Sequence, residues 1–445
     1  MNNDYLINKK PFYALLIFSF PIIIGNLFQQ LYTIVDSAIV GRFVGETALA
    51  AVGASYALTN IFVCVAVGGS VGASVIVSHH FGAKEYNKMK LAIYTAMIIF
   101  GILSILLAVF GFFFSAAILR FLGTPESAFT MAVLYLKIYF IGLPFLFMYN
   151  VISSMFNALG KSRFPLGFLI FSSLFNTILD ILLVNKYHMG VAGVAWATVI
   201  AQGISMLLSL AVFLKILHSL CNEHSSLFNQ KEASSMIRVA LPSILQQSTV
   251  SIGMMMVQSV VNSFGAETLA GFSAAMRIES LCVVPMSGIG NSISLYTAQN
   301  IGAKKRQRVL QGLHAAISII VASAVLIFVI LEAYNRQIIM LFLGNNGSNL
   351  SISTGRNYLK FMGIFFVLLG LKMAIDGVLR GCGDMKVFTI ASMVNLFIRV
   401  SIAMIFAPKY GIQIVWYAVP CGWLANLIIS GFRYRYHIHK VEDIS

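Results

Sequence analysis

The chain has 445 residues, of which 59% are hydrophobic and only 10% charged, at a mean hydropathy of +0.87. That composition excludes a water-soluble globular domain and a disordered chain, and it fits a protein dissolved in a bilayer. The net charge of +15 is not that of a nucleic-acid surface, because the basic residues are sorted along the chain: Lys84, Lys88, Lys90, Lys304, Lys305, Arg306 and Arg308 are among many in one set of alternate gaps between apolar runs, whereas the other set has only Arg42, Arg120, Lys186, Arg336, Arg356 and Lys409.

Twelve apolar runs follow one another, over residues 12–40, 50–78, 91–117, 130–158, 164–185, 191–217, 236–263, 268–298, 309–334, 356–381, 387–407 and 412–434. Each has roughly the 20 residues or more that cross a hydrocarbon core as helix. Lipid holds no water for backbone groups, so such runs can only be helices. The predicted fold is all-α and polytopic. The first run is too long for the apolar core of a cleavable signal and lacks a small-residue cleavage pattern, so it reads as a retained helix. The charge asymmetry places both termini in the cytoplasm and the chain in the plasma (inner) membrane.

In chain order, the first run carries Pro21 and, inside an apolar stretch, Asp36. The fourth carries Asn150, placed nearer the cytoplasm. The fifth carries Asn176 and Asp180, four residues apart and hence on one helical face, and the sixth carries Thr198. Asp36 and Asp180 each precede a basic residue at the outer end, Arg42 and Lys186, by six residues, and Thr198 follows Gly190 by eight. At ~1.5 Å rise per residue all three lie roughly 9 to 12 Å below the outer surface. Two carboxyls with amide and hydroxyl oxygens form a hard-oxygen cluster that suits an alkali cation, and the same oxygens can hold a proton. Asn176 and Thr198 taken singly could equally tie helices together. A buried carboxylate costs at least ~2.5 to 3.5 kcal/mol and marks an ion path.

The longest polar stretch, residues 218–238, ends the first half. In the seventh run LPSILQQSTV precedes Met254, Met255 and Met256, deformable side chains that suit varied ligands or ordinary packing. Glu279 in the eighth run lies beside Arg277, either as an ion pair or as a substrate anchor. Asp376 in the tenth lies four residues from both Lys372 and Arg380 and is expected to pair. His79 and His80 are adjacent rather than a turn apart, which argues against a metal site. Five cysteines (64, 221, 282, 382 and 421) have no paired spacing and read as packing residues.

An internal repeat divides the chain. Pro21 returns as Pro242, FGAK at 81–84 as IGAK at 301–304, YLK at 135–137 as YLK at 358–360, and SSLFNTILD at 172–180 as ASMVNLFIR at 391–399. The expected domains are an amino-terminal six-helix lobe (1–217), a cytoplasmic linker (218–235) and a carboxy-terminal six-helix lobe (236–445). An even number of crossings per lobe makes the repeat parallel, about an axis along the membrane normal, with substrate expected between the lobes near the midplane. In the repeat Asp180 corresponds to Arg399. The lobes are therefore chemically specialised.

These landmarks, with PIIIGNLFQQLYTIVDSAIVGRFVGETALAAVG, GVAGVAWATVIAQ at 190–202 and RIESLCVVP at 277–285, resemble the multidrug and toxic compound extrusion (MATE) family of secondary transporters over essentially the whole chain. The resemblance implies a two-lobed, V-shaped bundle that exports organic cations or related amphipathic compounds in exchange for Na⁺ or H⁺. The amino-terminal polar set is similar to that of the branch of DNA-damage-inducible protein F and its archaeal relatives, in which Asp36, Asn176, Asp180 and Thr198 would form the coupling site and Pro21 the bend of the first helix. Asn150 also fits that pattern. The other main branch has a carboxylate early on its seventh helix, where this chain has Gln246, Gln247, Ser248 and Thr249.

The function expected is multidrug efflux by antiport, with alternating access between lobes, no cofactor beyond the coupling ion, no nucleic-acid partner, lipid around the spans, and a monomer by default. The alternative is a flippase for lipid-linked saccharides, which needs a basic cavity; Lys137, Arg277, Lys360, Lys372 and Arg399 lie within spans. HExxH and P-loop motifs are absent from the sequence, which argues against an enzyme.

Overall fold

The computed structural model describes residues 4–220, 226–343 and 348–442; Cys221 and part of the polar linker lie outside them. A short helix α1 (Tyr5–Asn8) precedes α2 (Pro11–Ile39), α3 (Glu46–Gly82), α4 (Tyr86–Phe121), α5 (Glu126–Ala158), α6 (Arg163–Ile181) and α7 (Gly190–Leu220). The second half follows as α8 (Gln230–Asn262), α9 (Ala266–Gly302), α10 (Arg306–Leu343), α11 (Asn349–Gly381), α12 (Met385–Tyr410) and α13 (Gln413–Glu442). Among the described residues there is no strand. Eleven helical spans among these residues are long and apolar enough to cross a membrane. The expected seventh crossing is helical too, as α8, but it is not one of the eleven because its middle is the polar run Gln246, Gln247, Ser248, Thr249.

The repeat extends to backbone conformation. Lys84 and Lys304, which end the two GAK turns, both have a φ of 60°. The bonds of the turns match: Ala83 N–H donates to His79 and Lys84 N–H to Phe81, as Ala303 donates to Gln299 and Lys304 to Ile301. Gly45 and Gly265, which start α3 and α9 at a φ of 108° and 91°, are a second such pair; a side chain at either is strained.

The described residues form two compact units, one within Ile24–Ile244 and the other of Asp4–Ile23 with the chain from Leu245 onward. In the first, α5 packs on α3, α4 and α7 around Phe140, Phe147, Phe156 and Phe213. In the second, α11 packs on α9, α10 and α13 around Tyr358, Met362 and Phe366. Two helices are shared between units: α2 passes from one to the other after Ile23 and α8 after Ile244, each two residues beyond a helical proline, Pro21 or Pro242. A proline there removes the hydrogen bond to the carbonyl four residues back.

The α9 and α11 backbones approach each other through glycine. A Cβ on Gly377 would fall on the Gly290 carbonyl and lie 2.7 Å from Ile293 Cγ2. Gly377→Ala is expected to cost about 1 to 3 kcal/mol by overpacking, read as a lower thermal midpoint of the purified protein. Unchanged stability would mean that this crossing is loosely packed.

Of the cysteines, Cys64 is buried and packs as expected, Cys282 is half-buried, and Cys382 and Cys421 are exposed. The packing role fails for the last two because Cys382 lies in the turn after α11 and Cys421 on an outward face of α13.

Candidate cation and proton site

The site is built wholly within the first unit. Helix α2 presents Tyr32 and Asp36 on one face, four residues apart, and α6 presents Asn176 and Asp180 in the same way. Asp180 is 1% exposed and Asn176 2%; Asp36 is half-buried. The two carboxyl groups lie within hydrogen-bond reach of each other. In the orientation that satisfies both ends of its amide, Asn176 donates to Asp180 Oδ2 (2.7 Å) and Tyr32 Oη (3.1 Å) and accepts from the Thr198 backbone N–H (3.0 Å). The Thr198 hydroxyl on α7 donates to Val194 O at 3.1 Å. Tyr135, on α5, lies in the electrostatic field of both carboxyls.

The structure thus brings Asp36, Asn176, Asp180 and Thr198 together and adds Tyr32 and Tyr135, neither of which the sequence reading assigned. Tyr32 was within reach of it, being one turn before Asp36. Just beyond the carboxyls α2 and α6 each end in a π-helical turn, Val40–Val44 and Leu182–Lys186, a distortion frequent at functional sites. Val40 and Val184 from these turns pack with Val191, Val194 and Ala48 as a small apolar cluster against Tyr135.

One oxygen of each acid, Asp36 Oδ1 and Asp180 Oδ1, is buried with no hydrogen-bond partner. Leaving a buried charged acceptor unsatisfied costs more than ~1 to 3 kcal/mol, and two negative charges in contact repel. A small cation or a proton relieves both penalties. The oxygen-only donor set fits an alkali cation.

The remaining residues fall elsewhere. Asn150 Nδ2 donates to Leu146 O of its own helix at 2.8 Å. Met255 and Met256 are exposed on α8. Pro21 lies inside α2. Glu279 makes no ion pair with Arg277, which is exposed: positions two apart on a helix do not face each other. Its partner is Tyr358, whose hydroxyl donates to it in a short hydrogen bond. Asp376 pairs with Lys372 at 3.0 Å, both buried, and accepts from Ser430. His80 faces Glu85 at 3.0 Å and Glu232 at 3.2 Å. In that turn the Lys88 ammonium, and next His80, hold the Glu85 carboxyl below the usual carboxylate range.

Three of the five intramembrane basic residues are engaged locally. Lys360 pairs with Glu332 at 2.5 Å, Lys372 with Asp376, and Lys137 lies 5.5 Å from the Phe112 ring. A diphosphate-holding cavity needs several of them together.

The MatE family profile matches twice, over residues 21–182 and 242–405. The probable multidrug resistance protein YpnP of Bacillus subtilis (strain 168) is 30% identical, over 95% of this chain and 94% of its own length. The probable multidrug resistance protein YoeA of the same strain is 25% identical over 96% and 94%. A crystal structure of a MATE protein in complex with MaL6 superposes with a TM-score of 0.93 at 23% identity, covering all of both chains.

Proposed function

This chain belongs to the multidrug and toxic compound extrusion (MATE) family, and on that premise we propose that it exports amphipathic or cationic small molecules by antiport, with Na⁺ or H⁺ entering at Asp36 and Asp180. It is a multi-pass membrane transporter and not an enzyme. The observation that carries the ion reading is the pair of buried, partnerless carboxyl oxygens in one contact. An ion neutralises the pair and stabilises the packing of the outer half of α2 on α6. Release restores the repulsion and loosens it.

An exported cation is then coupled in either of two ways: it competes for the same charges, or it favours the state that the ion disfavours. Each unit charge that enters through a potential of 100 mV contributes about 2.3 kcal/mol. Alternating access between the units, cytoplasmic termini and a plasma-membrane location complete the proposal, the last two following from the sorted basic residues. The names of the multidrug relatives support the substrate class.

Proteoliposomes holding the purified protein test this reading against lipid translocation. Accumulation or release of a fluorescent organic cation under an ion gradient is expected, with no acceleration of labelled-lipid flipping. The opposite pattern would transfer the function to the flippase class.

A further inference from the structure

The two GAK turns share a backbone but differ in charge: residues 304–308 read KKRQR where residues 84–88 read KEYNK. In the first unit acids balance the turn. Glu85 meets Lys88 at 2.9 Å and His80 at 3.0 Å, and Glu232 adds a second carboxylate beside His80. In the second unit Lys305 stands at the repeat position of Glu85. It reaches to the amino-terminal segment, donating to Ile7 O at 3.2 Å and Asn8 Oδ1 at 3.1 Å, while Arg308 donates to Leu6 O and Lys9 O. Lys9 and Lys10 thereby join Lys304, Lys305, Arg306 and Arg308 at one end of the second unit. All but Arg308 are exposed. Among the described residues none of the six forms an ion pair with a carboxylate; Asp4, close by in sequence, holds α1 through its backbone carbonyl.

An apolar strip begins where these cations stop. Immediately after Lys10, α2 exposes Phe12, Tyr13, Leu16, Ile17 and Phe20, whose spacing puts them on one helical face. We propose that this end of the second unit seats the headgroup of an anionic phospholipid, with the acyl chains along the exposed face of α2. Four to eight Lys and Arg at the mouth of a membrane span attract anionic lipid, and here six are gathered from two distant parts of the chain. A phosphodiester offers them the negative charge that Glu85 and Glu232 supply in the first unit. Arg306 keeps its guanidinium exposed, a fork that matches phosphate oxygens. A zwitterionic lipid presents its own ammonium to the same cluster and gains less. The seat needs only a bilayer surface at this end of the helices, so it stands or falls apart from the ion reading of the first unit.

The test reconstitutes the full-length protein in nanodiscs of phosphatidylcholine with increasing phosphatidylglycerol and follows the thermal midpoint. A saturable rise of several degrees is expected. Lys9→Gln, Lys10→Gln and Arg306→Gln together remove three exposed charges but leave the Lys305 and Arg308 bonds in place. Each lost charge should raise the phosphatidylglycerol needed for half the effect about fivefold, and the triple variant roughly a hundredfold, which abolishes the response. Arg306→Gln alone should shift it about fivefold and decides the matter if the triple variant does not fold. A matched control on the first unit, Lys88→Gln with Lys90→Gln and Lys231→Gln, should respond like the wild type. No rise in the wild type, or an unchanged response in a folded Lys9, Lys10 or Arg306 variant, overturns the proposal. So does an equal loss in the control, which would mean diffuse attraction to a charged bilayer. The same rise with inorganic phosphate added to phosphatidylcholine nanodiscs also overturns it, by making the cluster a free-anion site.

Discussion

Asp36→Asn and Asp180→Asn are each expected to abolish ion-driven efflux of an organic cation while leaving a folded, membrane-inserted protein. The amide matches the carboxyl in shape but removes the charge that a cation meets. At ~4 Å and an effective dielectric constant of about 20, one unit pair is worth roughly 4 kcal/mol, or about three decades in affinity. Asp180 should be the more sensitive position. It is 1% exposed and its Oδ2 accepts from Asn176, so the change also buries an amide NH2 beside that donor, whereas Asp36 is half-buried. Transport in proteoliposomes measures both. Near-normal gradient-driven efflux by either variant would remove that carboxyl from the coupling step.

Arg308→Ala is expected to cost about 3 kcal/mol, through the amino-terminal segment. Leu6 and Ile7 of α1 are buried in the second unit. Arg308 Nη2 donates to Lys9 O (2.5 Å) and Leu6 O (3.3 Å), and its Nε donates to Asn300 Oδ1 (3.0 Å). Asn300, fully buried, also donates to Leu6 O at 3.2 Å, and Lys305 donates to Ile7 O at the same distance. Hydrogen bonds to a charged group contribute ~1.5 to 3 kcal/mol, and the buried Asn300 Oδ1 left without its donor adds to the loss. Arg308→Lys should recover only part of it, because an ammonium lacks the guanidinium fork. The readouts are the thermal midpoint and protease cleavage near Lys9 and Lys10, and neither should move if the segment is loosely held. The first half of α2 belongs to the second unit while its second half carries Asp36 to the first. Transport should therefore fall along with stability.

Much of this arrangement was legible in the chain. Apolar run lengths specify the helices, and the distances of Asp36 and Asp180 from Arg42 and Lys186 place both acids at one depth. What escaped has a physical reason in each case. The π turns Val40–Val44 and Leu182–Lys186 depend on tertiary packing and have no sequence signature. The exchange of the starts of α2 and α8 between units cannot be read from local periodicity, although Pro21 and Pro242 mark where it occurs. Helix α1 is four residues long and is held by Asn300, Lys305 and Arg308, distant in sequence. Tyr135 and Tyr358 were visible as a repeated YLK landmark, but only the folded chain brings the first beside two carboxyls and the second onto Glu279.

The exchange of an ion for the exported compound at Asp36 and Asp180 is tested most directly by substrate release from preloaded proteoliposomes. A sodium gradient is imposed at fixed pH, and in a parallel experiment a proton gradient without sodium. Release driven by one of the two gradients, and lost in Asp36→Asn, is the predicted result. Release that ignores both gradients, or persists undiminished in the variant, would contradict it.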